Sequence, residues 1–159
     1  MTLIRPFLAA VTLALPLAAV APAPLVAQSG VGGVYHDAFR SRDAIADTLD
    51  AVSAFGEARG AGDRQAAEQA AADMLTALLR ARFWLAMLDA EVTATSHSAE
   101  IGSQVTELRT VAVQGFDTVF VALADNDLAA LERALDGSGD WLNTLTVNGR
   151  QVMTALFGS

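Results

Sequence analysis

The chain has 159 residues, with 18 acidic and 10 basic side chains that give a formal net charge of −8 at pH 7. Because phosphate backbones and anionic lipid surfaces attract clustered cations, we expect neither nucleic-acid binding nor unaided binding to an anionic membrane. The chain has no cysteine. Disulfides, thiolate-bound zinc, iron–sulfur clusters and haem attached through a C-x-x-C-H motif are therefore excluded.

The N-terminal 27 residues have the layout of a secretion signal. Arg5 provides a basic start, residues 7–21 form an apolar run, and small residues precede Gln28. We therefore expect a cleavable signal peptide at residues 1–27 and a flexible N-terminus at residues 28–33. The mature protein is then periplasmic or secreted and has no stable membrane span.

The alternative for this segment is an uncleaved membrane anchor. The apolar stretch over residues 7–27 is nearly long enough to cross a bilayer. Its prolines disfavour a continuous helix of that length, because proline removes a backbone donor and breaks helices. Those prolines are Pro16, Pro22 and Pro24.

The first helix is predicted over residues 34–55. Its proposed inward stripe advances in steps of three and four, as an amphipathic helix requires, through Tyr35, Ala38, Arg42, Ile45, Leu49, Val52 and Gly56. We expect Gly56, Gly60 and Gly62 to end this helix and Asp63 to cap the next one.

The second helix is predicted over residues 64–93. Its apolar seam has no irregular step: Ala67, Ala71, Met74, Leu78, Ala81, Leu85, Leu88 and Val92. Hydroxyl side chains over residues 93–98 compete for backbone hydrogen bonds, so the helix is expected to end there. Ser96 or Ser98 is then the cap of the third helix. One unbroken helix over residues 64–123 is the alternative.

Two further helices are predicted at residues 98–124 and 127–157. The third has the stripe Ile101, Val105, Leu108, Ala112, Gly115, Val119 and Ala122. The fourth has the stripe Leu128, Leu131, Leu135, Ser138, Leu142, Leu145, Gly149, Val152 and Leu156. Gly137 and Gly139 interrupt this last helix, and we favour a kink over a break because the apolar register continues on either side.

Four such helices joined by short turns predict an all-α fold, a left-handed antiparallel up-down four-helix bundle over residues 34–159. The alternative is a set of shorter hairpins that dimerise into a bundle. Small residues such as Gly115 in the seam favour large-small packing over a ligand pocket. The candidate large partners are Trp84, Trp141, Phe83 and Phe116.

One end of this bundle is a candidate metal site. Up-down topology brings His36, His97 and Met153 to the same end, with Glu91 and Glu100 nearby. Imidazole with thioether or carboxylate is suited to copper, and paired axial ligands are suited to a non-covalent haem. The competing interpretation is that both histidines are ordinary solvated residues at helix ends, since no His-x-x-x-His or Glu-x-x-His pair is present.

Arg42 occupies a stripe position where an apolar residue is expected. A buried arginine needs an anionic partner. One interpretation is that Arg42 lies near the bundle end, extends its charged group to solvent, or pairs with a carboxylate on a neighbouring helix such as Asp89. The other is that it binds an anionic ligand between the helices. In the second case Arg82 and Arg150 are predicted at a similar level of the bundle and would assist.

The chain carries no phosphate-binding loop, no G-x-S-x-G elbow and no H-E-x-x-H motif. We therefore expect no enzymatic activity and no cofactor. The leading hypothesis is an exported helical bundle that acts by protein–protein interaction in the cell envelope, binding another envelope protein or itself. The alternative is a periplasmic bundle that binds a small ligand, copper or another metal, or haem.

Overall fold

The computed structural model describes residues 31–95, 97–136 and 141–158. They form five helices: α1 (Val31–Gly60), α2 (Arg64–Ala94), α3 (Ala99–Ala124), α4 (Leu128–Asp136) and α5 (Trp141–Phe157). No strand occurs in these three ranges, so the predicted all-α class is confirmed. The predicted signal peptide at residues 1–27 lies outside the described residues.

The first helix is longer at both ends than its sequence pattern indicates. It already includes residues 31–33, which we expected to be flexible, and it continues through Gly56 to Gly60. A Cβ atom added at Gly56 would meet nothing within 4 Å, so this glycine is on an open helix surface. A single exposed glycine costs only about 1 kcal/mol in a helix, which the packing of a long helix outweighs.

Short turns with capped ends separate the first three helices. Gly62 has a φ of +70°, a left-handed conformation that suits glycine, and Asp63 then accepts a hydrogen bond from the Ala66 amide at 3.0 Å. Ser98 caps α3 by accepting from the Ile101 amide at 3.3 Å. The predicted caps at Asp63 and Ser98 and the predicted break after the second helix are therefore confirmed.

The predicted seams of the second and third helices form the centre of the core. All eight seam residues of α2 are buried, and so are six of the seven in α3, Ile101 being partly buried. Trp141 packs against α3 at Gly115, where an added Cβ would lie 2.7 Å from two of its ring atoms. Large-small packing therefore operates at this glycine, as predicted.

The inward face of α1 differs from the prediction by one residue at most positions. Between residues 33 and 60, the buried residues are Val34, Asp37, Ala38, Ser41, Ala44, Ile45, Thr48, Ala51, Phe55 and Ala58. Only Ala38 and Ile45 also belong to the predicted stripe. Five of the ten buried residues of α2 are alanine, and small side chains such as Ala38 and Ser41 are likewise buried on α1. Thr48 is tolerated inside because its hydroxyl donates to the Ala44 carbonyl at 2.8 Å.

Neighbouring helices run in opposite directions. Asp47 of α1 pairs with Arg80 of α2 at 2.8 Å, whereas Gly33 near the start of α1 lies against Glu91 near the end of α2. Helix α3 packs in the same manner on α2 and on α5, and α5 also packs on α1, where Tyr35 meets Phe157. No helix in the described part of the chain has the length and apolarity needed to cross a membrane.

The range of the last predicted helix, residues 127–157, contains two helices, α4 and α5. Helix α4 packs on α3, and its Glu132 accepts two hydrogen bonds from Arg59 of α1, the shorter at 2.6 Å. The predicted kink or break at Gly137, Ser138 and Gly139 lies outside the described residues.

Candidate functional site

The three predicted metal ligands have separate surroundings. The Nδ1 atom of His36 is 3.1 Å from a carboxylate oxygen of Asp37, and its ring meets Trp84 edge-on at 5.4 Å. The Nδ1 atom of His97 is 2.6 Å from the Thr95 hydroxyl. Met153 lies in a groove between α1 and α5.

No hydrogen bond or ring contact joins two of these three residues in the described structure. Among the described residues, no three His, Asp or Glu side chains lie close enough together to bind a metal ion. Glu100 lies in the first turn of α3, where a carboxylate favours the helix dipole.

Arg42 is exposed, so it is not buried at the stripe position that the sequence pattern assigned to it. Its side chain is 53% exposed, donates to Asp43 at 3.0 Å, and lies 4.7 Å from the centre of the Phe39 ring. The reason is the one-residue shift of α1, which places Ser41 inside instead. The suggested partner Asp89 accepts from Arg109 at 2.8 Å.

The structure brings two of the three arginines that were candidates for binding an anion to one groove. Arg42 and Arg150 both line the groove between α1 and α5. Arg82 lies elsewhere, with its guanidinium 4.6 Å from the centre of the Phe116 ring on α3. The anion site suggested by the sequence is therefore reduced to the pair on α1 and α5.

This α1/α5 groove has a volume of about 280 Å³ and an apolar floor. It exists because α1 and α5 pack against each other much less extensively than α1 and α2 do. A Cβ added at Gly149 would lie 3.3 Å from Ile45 Cδ1, so the glycine allows the two helices to approach at this level. The lining residues are Arg42, Ile45, Ala46, Leu49, Thr146, Gly149, Arg150, Met153 and Thr154.

A cluster of aromatic rings from α1 and α5 contacts Arg42 of the α1/α5 groove. Phe157 near the end of α5 contacts Phe39 and Tyr35 of α1, with ring centres 4.4 and 5.5 Å apart. Arg42 lies over Phe39 and belongs to both the ring cluster and the groove. This arginine therefore joins the ring cluster to the groove.

The solvent-facing side of α2 is apolar over more than four turns. We call this surface the outer α2 stripe; its members, all exposed, are Ala72, Thr76, Leu79, Phe83, Ala86, Met87 and Ala90. Leu79, Phe83 and Met87 are 53%, 57% and 39% exposed. Arg82 extends from the flank of the stripe to Phe116, which stacks on Phe120 at 6.0 Å. The apolar surface therefore has aromatic neighbours on α3.

Sequence reasoning missed the outer α2 stripe although its signal is present. Leu79, Phe83, Met87 and Ala90 lie outside the seam and follow one another in steps of four, four and three. A helix that is apolar on all sides is normally buried on all sides. That second periodicity indicates a second apolar side of α2, which the other described helices do not cover.

Buried polar groups between α1 and α2 were also missed. Asp37 is buried and meets only His36 among the described polar groups. The Ser41 hydroxyl and one carboxylate oxygen of Glu91 are buried without a hydrogen-bond partner in the described structure. The α1 register shift hid this feature, since the predicted stripe placed Ser41 outside.

No protein-family model, curated protein or solved structure matches the chain.

Proposed function

We propose that this protein is an exported, non-enzymatic helical bundle that works by association through the outer α2 stripe, with a second copy of itself or with another envelope protein. The observation that carries the proposal is the exposure of Leu79, Phe83 and Met87 on one face of one helix. Contiguous apolar surface of this kind marks interaction sites in soluble proteins. A helix that packs its second apolar face on a partner removes that surface from water.

The order of residues in the stripe favours a second copy. Three pairs are equidistant from the buried Ala81: Leu79 with Phe83, Thr76 with Ala86, and Ala72 with Ala90. Two such stripes related by a two-fold axis and running antiparallel place each residue opposite its counterpart, as symmetric dimer interfaces require. The small residues at both ends allow close approach, and the larger pair fills the centre.

The proposed architecture is the left-handed antiparallel up-down four-helix bundle, with α4 and α5 together supplying the fourth helix. Its support is the cycle of contacts in which α1 packs on α2, α2 on α3, α3 on α5 and α5 on α1. In that arrangement the outer α2 stripe faces away from the bundle axis and is free for a partner.

Sedimentation and pull-down experiments test the association. We expect the wild-type protein to form a concentration-dependent dimer, and Phe83→Glu to be monomeric because it places a charge at the centre of the stripe. Gln65→Glu is the matched control: it adds the same charge to the same helix two turns before the stripe and leaves association unchanged. A wild-type protein that is monomeric and captures no envelope protein would refute the proposal.

The proposed export has its own test. If residues 1–27 are removed as a signal peptide, the protein recovered from the periplasmic fraction or the medium begins at Gln28. N-terminal sequencing decides between this outcome and a retained anchor, which leaves the protein in the membrane fraction. An absorption spectrum of protein from its native host, recorded after oxidation with ferricyanide, tests the alternative of a haem or copper carrier, since haem and copper(II) absorb visible light.

A further inference from the structure

Two positively charged side chains and no carboxylate line the α1/α5 groove. In a chain where acidic residues outnumber basic ones by 18 to 10, a cavity with Arg42 and Arg150 and no acidic lining residue differs in charge from the rest of the surface. The remaining polar lining residues are threonines, whose hydroxyls donate or accept hydrogen bonds. The groove is therefore suited to an anion.

Of these two arginines, only Arg150 lacks a carboxylate partner in the described structure. The other described arginines contact a carboxylate or an aromatic ring, whereas Arg150 contacts neither in the described structure. Arg42 is partly neutralised by Asp43. An incoming anion would therefore find its main charged partner in Arg150, with its guanidinium able to bind a carboxylate by two parallel hydrogen bonds.

The floor of the groove is made by aliphatic and thioether side chains, those of Ile45, Leu49 and Met153. Its volume of about 280 Å³ holds roughly nine groups of the size of a water molecule, at about 30 Å³ each. A flexible hydrocarbon chain of about that many carbon atoms matches this space. The adaptable methionine side chain suits such a ligand, because it adjusts to irregular apolar shapes.

We propose that the α1/α5 groove binds an amphipathic carboxylate, with an acyl chain of medium length on the apolar floor and its carboxylate on Arg150. The chemistry is that of a saturated fatty acid. This site is separate from the outer α2 stripe, because it lies between two other helices. The proposal therefore goes beyond the association proposed above and does not depend on it.

Isothermal titration with sodium decanoate, below the concentration at which it forms micelles, tests the proposal. We expect saturable binding of one decanoate per chain. Hexanoate should bind at least about tenfold more weakly, because each fully buried methylene changes affinity roughly fourfold and the groove buries its ligand only in part. Decanol, with the same chain and no charge, should also bind at least about tenfold more weakly.

Three variants locate the site. Arg150→Gln should weaken decanoate binding at least about tenfold, since it removes a charged hydrogen-bond partner. Arg133→Gln, the matched control on α4, should leave it unchanged. Ala46→Leu adds bulk at an exposed position of the groove wall and should abolish binding while the protein remains folded, as circular dichroism would show.

Several results would overturn the proposal. They are no binding of decanoate, equal binding of decanol and decanoate, or equal effects of the two arginine substitutions. Loss of decanoate binding in Phe83→Glu would place the ligand on the outer α2 stripe and refute the groove site. Retained binding in that variant, whether monomeric or dimeric, supports the groove and separates it from the proposed association.

Discussion

Gly115→Ala is expected to destabilise the protein although alanine is the better helix former. A Cβ atom at this position would lie 2.7 Å from two ring atoms of Trp141 and 3.2 Å from Leu78 Cδ2. Trp141 is buried and begins α5, so its ring has little freedom to move away. The substitution therefore has to displace either the ring or the start of the helix.

The expected loss follows from two opposing terms. Replacing glycine by alanine in a helix interior contributes about 0.5–1 kcal/mol of stability. Overpacking a well-filled core costs typically about 1–3 kcal/mol. The net result is a loss of about 0–2.5 kcal/mol, and each kcal/mol lost lowers Tm by about 2–4 °C for a chain of this length.

Gly56→Ala is the matched control, because nothing lies within 4 Å of the Cβ it adds on α1. It should raise the free energy of unfolding by about 0.5–1 kcal/mol. Urea and thermal denaturation followed by circular dichroism measure both variants. Equal stabilisation by the two alanines would refute the contact between Gly115 and Trp141 as the determinant of how α5 meets α3.

Two further substitutions test individual polar groups, with chemical denaturation as the measurement. Ser41→Ala should stabilise the protein by about 1 kcal/mol, because the Ser41 hydroxyl is buried without a hydrogen-bond partner among the described residues; a loss of stability would indicate a partner for that hydroxyl. Asp63→Ala should cost about 1 kcal/mol, because the Asp63 carboxylate caps α2 through the Ala66 amide; an unchanged midpoint would mean that the cap contributes nothing.

The seams of α2 and α3 were predictable because apolar or small residues repeat along them without interruption. The face of α1 was not, since its buried residues include Ser41 and Thr48 while Tyr35 is exposed. Hydrophobicity alone assigns such a helix the wrong face. Packing against the neighbouring helices decides which side of α1 faces inward, and the sequence of α1 alone does not contain that information.

For the candidate anion site, too, the sequence predicts part of the arrangement and tertiary packing decides the rest. Arg42 and Arg150 were predicted at a similar level of the fold, and the structure places both on one groove. Arg82 was predicted with them, but its contact with Phe116 depends on which side of α2 faces α3. The rotation of a helix about its own axis is fixed by tertiary packing, so sequence spacing predicts the level of a residue along a helix better than its direction.

The two proposed sites can be occupied at the same time. Helix α1 packs on both α2 and α5, and so does α3, so these two helices separate α2 from α5. The outer α2 stripe faces solvent away from α1 and α3, whereas the α1/α5 groove opens between α1 and α5. Association through α2 therefore leaves the groove open to solvent. Since a ligand shifts an equilibrium only through different affinities for the two states, an acyl carboxylate bound in a groove that both monomer and dimer expose equally has no means of driving association.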